Sequence, residues 1–211
     1  MFYSLLQIVC GPYYKIFYRA KFIGKENIPS DGGAVLCCNH IGISDIFLLG
    51  VASKRQLFFI SKKEWFKIPV LRGIIKRLGA IELDRGGKDV GALKAAVKTV
   101  KSNKIVAIFP QGHRYPNITP DKTPIKSGAA LIAYHASCNV IPVCIKTKDV
   151  KYRLFRRIEV IVGKPLSHEE LGLSHGGYDE YKHASDKIFN EICTLGGYGS
   201  YGNVSPNKED N

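Results

Sequence analysis

Seven residues, Asn39-His40-Ile41-Gly42-Ile43-Ser44-Asp45, place an imidazole and a carboxylate five positions apart between two apolar runs, 34–38 and 46–51. An imidazole that titrates near neutrality can take a proton from a hydroxyl, and a neighbouring carboxylate fixes its tautomer and stabilises the imidazolium. His40 is therefore a candidate general base and Asp45 its orienting partner. On an unbroken helix the two side chains would lie roughly 140° apart, on different faces. They meet only if a turn precedes the helix. Gly42 permits that turn, and Ser44 or Asp45 can cap the helix behind it. The plain alternative is a core histidine beside an ordinary capping aspartate, so the rest of the chain has to decide.

Three more groups carry chemistry. Gly79-Ala80-Ile81-Glu82-Leu83-Asp84-Arg85 reads as a strand that delivers an arginine at its end, and the forked donors of a guanidinium suit a phosphate. In Phe109-Pro110-Gln111-Gly112-His113-Arg114, Gly112 lets backbone approach a ligand and Arg114 offers a second cation. His113 reads as a loop histidine, solvated or hydrogen-bonding. Val140-Ile141-Pro142-Val143 is a buried strand with a proline at its mouth. Lys126, just before a helix start at Ser127-Gly128, can add a phosphate contact.

The elements that must hold these groups alternate. Strands are expected at 34–38, 56–61, 80–83, 105–109, 140–145 and 157–162, with helices at 44–52, 63–66, 70–78, 89–102, 126–136 and 178–193. Such a rhythm predicts an α/β single domain with a largely parallel central sheet flanked by helices on both faces. Residues 127–145 carry no charge, yet Gly128, Ser137, Asn139 and Pro142 divide them into helix, turn and strand, not a membrane span.

Residues 2–22 place Phe2, Leu5, Leu6, Val9, Tyr13, Ile16 and Phe17 at helical spacing, followed by Lys15, Arg19 and Lys21. Gly11-Pro12 predicts a kink or break in the middle. The uncharged part is too short to cross a bilayer. Residues 1–25 are thus expected to form an N-terminal amphipathic, membrane-anchoring helix at the interface, 26–195 the folded domain, and 196–211 a flexible Gly/Tyr-rich tail.

At 211 residues, 45% hydrophobic and 23% charged, the chain is a globular domain of ordinary size. Its net charge of +13 is uneven: 1–25 carry +4, 54–77 carry +7 and 146–157 carry +5, while 158–211 carry −5. In 54–77 the cations alternate with Phe58, Phe59, Trp65 and Phe66, a mixture suited to an anionic membrane surface. No nucleic-acid-binding motif accompanies it. The six cysteines lack C-x-x-C spacing, which favours a reducing compartment over a disulfide framework or a zinc site. No basic region precedes the first apolar residues, so no cleavable signal peptide is expected.

N-H-x4-D, G-x4-D-R, F-P-x-G-x-R and V-I-P-V, in this order between residues 39 and 143, resemble the four blocks of the 1-acylglycerol-3-phosphate O-acyltransferase family. The resemblance implies a domain on the cytoplasmic face of the cell membrane, peripheral or monotopic. It would acylate the sn-2 hydroxyl of lysophosphatidate to give phosphatidate, using acyl-CoA or acyl carrier protein as co-substrate and no other cofactor. By the same resemblance His40 is the base, Asp45 its partner, and Arg85 and Arg114 hold the acceptor phosphate. Gln111, Gly112 and Lys126 belong to the acceptor site. Asn39, or backbone amides near the second or third block, would stabilise the oxyanion. A thioester is already activated, so direct attack needs a base, an oxyanion site and positioning, but no metal and no covalent nucleophile.

The third block departs from the family's usual F-P-E-G-T-R, with Gln111 for the glutamate and His113 for the threonine. Gln111 keeps the shape and one acceptor but loses the charge. That departure admits another lysolipid or glycerol 3-phosphate as acceptor, or a catalytically weak lipid-binding homologue. Metal-dependent hydrolysis through His40 and Asp45 is disfavoured, since two ligands fall short of a site and the arginines would repel the ion.

Overall fold

The computed structural model describes residues 2–62, 73, 79–83 and 90–201. Its centre is β2 (Ala34–Cys38), buried along its whole length because both of its faces are apolar. Leu36 and Cys38 point to one side, Val35 and Cys37 to the other, as the two-residue strand period requires. Around it lie β1 (Lys21–Ile23), β3 (Leu57–Lys62), β4 (Ile81–Leu83), β5 (Ile105–Ile108), β6 (Val140–Thr147) and β7 (Ile158–Val162). They form a seven-stranded sheet in the order β1-β7-β6-β2-β5-β3-β4. All neighbours are parallel except β6 and β7. Residues 148–157, which join that pair, contain no α-helix and are too few for a parallel crossover, so β7 returns antiparallel.

Helices cover both faces. On one, α1 (Phe2–Phe17) and α2 (Ser44–Ala52) enclose Leu36, Leu48, Leu49, Leu57, Ile141 and Ile145. On the other, α3 (Val90–Lys101), α4 (Gly128–Ala136) and α5 (Tyr178–Gly196) enclose Val35, Val106, Ala96, Ile132 and Phe189. A fully buried aliphatic side chain stabilises by about 1.5–3 kcal/mol, so these two layers, and not helix propensity, hold the domain together. The expected α/β domain with a largely parallel, two-sided sheet is what the chain forms.

Several details differ from expectation. The helix expected over 2–22 ends at Phe17. Arg19 takes a left-handed φ of 45°, and the amides of Tyr18 and Ala20 both bond Tyr14 O at 3.1 Å, closing the last turn. The chain then enters β1, a three-residue edge strand too short to show a period. Nor does Pro12 break α1, which runs continuously through it. Pro12 and Ile8, whose carbonyl loses its usual partner, both lie on the exposed face, where water can satisfy that oxygen.

The face of α1 that packs is not the apolar stripe. Tyr3 Oη and Gln7 Nε2 bond Gly50 O at 3.3 and 2.8 Å, while Gly11 and Tyr14 are buried against the domain. Leu5, Val9, Tyr13, Ile16 and Phe17 face outward. No helix among the described residues is long and apolar enough to cross a membrane. Residues 196–201, expected to open the tail, are ordered against the domain. Gly196 closes α5, Tyr198 packs into the core, and the Tyr201 ring meets Phe189 edge-on at 4.9 Å. The remainder, 202–211, lies outside the described residues, as do the helices expected at 63–66 and, Gly73 excepted, 70–78.

Candidate active site

In a parallel sheet, ligands bind outside the carboxyl ends of the strands. Three adjacent central strands end together here: β2 runs out into Asn39 and His40, β5 into Phe109–Arg114, and β6 lies on the other side of β2. This is where the first and third sequence blocks meet.

The turn that Gly42 was expected to permit forms, and it joins the two key residues. His40 Nδ1 lies 2.6 Å from Asp45 Oδ2, the first turn of α2 carrying the carboxylate back under the strand end. Asp45 is fully buried. Its Oδ2 also accepts from the amides of Ile41 at 2.7 Å and Gly42 at 3.0 Å, and its Oδ1 accepts from the hydroxyl of Tyr152. Four donors thus compensate one buried negative charge, as a desolvated carboxylate requires. Because an ionised carboxylate only accepts, His40 Nδ1 carries the proton and Nε2 keeps a lone pair that can accept one. The ring stacks on Phe109 at 4.0 Å, with 12% of the His40 side chain still exposed, enough for a hydroxyl to reach it.

Gln111 is buried and turned inward. Its Oε1 accepts from His40 N at 2.6 Å, and its Nε2 donates to Thr123 Oγ1 at 2.8 Å, which in turn donates to Pro120 O at 2.7 Å. Tyr115 N donates to His40 O at 3.0 Å, so the third block and the residue after it hold both backbone groups of His40. Gln111, expected at the acceptor site, is thus placed against the backbone of His40. Asn39 is the candidate for stabilising the oxyanion. Its side chain is buried and spans to β6, donating to Ile145 O at 3.0 Å and accepting from Ile145 N at 2.8 Å. That amide locks the strand ends together.

Gly112 has φ +70°, and a Cβ there would stand 3.4 Å from Lys126 Cε, so the lysine stem lies across it. Lys126 N bonds Pro110 O at 2.9 Å. The side chains of Arg114 and Lys126 are both exposed, that of Lys126 beside Gly112, and both can meet an anion. Arg85 lies outside the described residues. Cys38, next to the site, is no nucleophile: burial first, and then the charge of Asp45, push its thiol far above the ordinary range.

Sequence reasoning missed Tyr152 and the stacking role of Phe109. Tyr152 stands between Lys151 and Arg153 in a segment read only for its charge. A lone aromatic amid cations was the available signal, but no spacing rule connects it to a residue 107 positions away. Burial, and then Asp45, raise its phenol well above the ordinary value, so it stays a proton donor.

A family model described as Acyltransferase matches residues 19–146. Among curated proteins, the 1-acyl-sn-glycerol-3-phosphate acyltransferase of Bacillus subtilis (strain 168) is 32% identical over 149 residues, 69% of this chain and 73% of that protein. The protein of the same name from Streptococcus pneumoniae (strain ATCC BAA-255 / R6) is 31% identical over 177 residues, 81% of this chain and 65% of that one, just under two thirds of its length. The crystal structure of the 1-acyl-sn-glycerophosphate (LPA) acyltransferase from Thermotoga maritima superposes with a TM-score of 0.71, covering 92% of this chain and 79% of the other. At 23% identity that likeness speaks for the fold alone.

Proposed function

Since this chain belongs to the 1-acyl-sn-glycerol-3-phosphate acyltransferase family, we propose that it transfers a fatty acyl group from a thioester to the sn-2 hydroxyl of lysophosphatidate, giving phosphatidate. The observation that carries the reading is the His40–Asp45 pair, with Nδ1 tied to a buried carboxylate and Nε2 left to act. His40 Nε2 takes the hydroxyl proton as the oxygen attacks the thioester carbonyl. The resulting oxyanion collapses, the C–S bond breaks, and the imidazolium returns its proton to the departing thiolate. Asp45 stabilises the imidazolium throughout. Arg114 and Lys126, with Arg85 from the second block, supply cations for the acceptor phosphate.

The acyl donor is coenzyme A or acyl carrier protein, and the reaction takes place at the cytoplasmic face of a membrane, where the outward stripe of α1 meets lipid. Gln111, one of the two departures from the usual motif with His113, bonds His40 N and Thr123 Oγ1, which supports a part in holding the pair rather than in choosing the acceptor. Purified protein supplied with labelled acyl-CoA or acyl carrier protein and a panel of lysophosphatidate, other lysolipids and glycerol 3-phosphate tests the reading. Turnover on lysophosphatidate, abolished by His40→Ala, supports it. Turnover only on another acceptor overturns the substrate, and full turnover by His40→Ala overturns the base.

A further inference from the structure

We propose that the turn at residues 151–157 is a second membrane-inserting element, which together with α1 forms one docking face for an anionic lipid surface. The proposal deepens the membrane reading above and rests on it. Leu154 and Phe155 are 55% and 62% exposed at the tip of this turn. They continue the apolar face of α1: Phe155 N bonds Phe17 O at 2.6 Å, the two rings lie 6.2 Å apart, and Tyr13 stands 5.2 Å behind Phe17. With Leu5, Ile8, Val9 and Ile16 this makes a contiguous apolar surface. Among the described residues, the other large exposed apolar side chains, Ile23, Ile43, Val90, Ile118 and Tyr178, are isolated in sequence and need no explanation.

Phe155 holds a left-handed φ of 61°, uncommon for a bulky side chain and retained only where something offsets it. The charge of the rim selects the occupant. Lys151, Arg153 and Arg156 flank the tip, Lys15, Arg19 and Lys21 flank α1, and neither 1–25 nor 150–158 contains an acid. Large apolar groups ringed by cations of one sign match acyl chains under anionic headgroups. The base of the same turn carries Tyr152, whose hydroxyl holds Asp45, and whose ring lies 6.5 Å from Tyr18. Seating the tip in a bilayer therefore sets the catalytic pair at the lipid surface, where an amphiphilic acceptor resides.

Partition onto vesicles of phosphatidylcholine with 30% phosphatidylglycerol, roughly the anionic content that draws basic segments to a surface, is compared for wild type and Leu154→Ser/Phe155→Ser. The expected loss is about tenfold or more, since each large apolar side chain withdrawn from lipid is worth about that factor. The melting temperature and the rate on a water-soluble short-chain acceptor should stay near wild type. Phe155→Trp serves as a second probe: brominated lipids should quench it more than the parent, which carries Trp65 alone. Unchanged partition together with no added quenching overturns the proposal. A wild type whose dimerisation is abolished by the serine variant at unchanged partition also overturns it, assigning the face to a second copy. Absence of acyl transfer in detergent would count against the enzymatic reading and leave this binding result standing.

Discussion

Removing one oxygen from Tyr152 isolates what the carboxylate contributes to the base. Tyr152→Phe keeps the ring that closes on Gly42, where an added Cβ would stand 3.3 Å away, and keeps the edge contact with Tyr18. It deletes the donor to Asp45 Oδ1 and leaves His40, Ile41 N and Gly42 N on Oδ2. A hydrogen bond to a charged group is worth about 1.5–3 kcal/mol, which sets the ceiling on the loss of stability. For a domain of this size that corresponds to a fall in Tm of about 3–12 °C. If the whole bond served only the transition state, kcat would fall by about 10- to 150-fold. Because Tyr152 binds Asp45 in the ground state as well, the expected loss is near the lower end, about tenfold.

KM for the acceptor should not change, since the hydroxyl touches the carboxylate and not the mouth. Steady-state rates from labelled acyl transfer, measured with acceptor varied to saturation, read kcat and KM together. A variant that melts lower but keeps the wild-type kcat would show that Tyr152 only packs, and the account of the carboxylate would fail.

Other outcomes follow from the same geometry. His40→Ala should lower turnover by about 10²–10⁴-fold with the fold intact by circular dichroism. Asp45→Asn, which still accepts from Ile41 and Gly42 but carries no charge for the imidazolium, should lose activity to a similar extent. Asn39→Ala leaves both backbone groups of Ile145 without partners in a buried strand, so stability should drop by about 2–6 kcal/mol in urea titrations while the rate per folded molecule persists. Gln111→Glu should leave the acceptor KM unchanged, because that side chain faces His40 and Thr123; a large KM change would return Gln111 to the acceptor site.

Stability should also fall in alkali. Burial raises the thiol of Cys138 from 9.0 to about 11 and that of Cys144 from 9.0 to about 12, and the phenol of Tyr14 from 10.0 to about 12. The unfolded chain releases these protons first. Their contribution is complete below about pH 9 and is lost as pH climbs through 11–12, which urea midpoints across that range would reveal. A flat midpoint from pH 8 to beyond 11 would contradict the burial of these groups.

Much of this molecule is local in origin, and the sequence by itself determined that part. The strand at 34–38 and the helix at 44–52 were legible to the residue, because each is a short apolar run bounded by turn-forming residues. The His40–Asp45 pair was legible from its place among the four blocks, with Gly42 permitting the turn that closes it. The order of four short blocks was enough to point to the family.

Contacts between residues far apart in the chain were decided only by the tertiary structure. Asn39 and Gln111 have the composition of ligand-binding amides, and only the approach of β6 and of Thr123 gives them partners within the fold. The amphipathic pattern of α1 does not say which face packs, because Tyr3, Gln7, Gly11 and Tyr14 carry too little hydrophobicity to look like an interface. Tyr152 joins the site from a segment with no periodicity at all. A side chain's chemistry is set by its type, but its role is set by what the fold brings within about 3 Å of it.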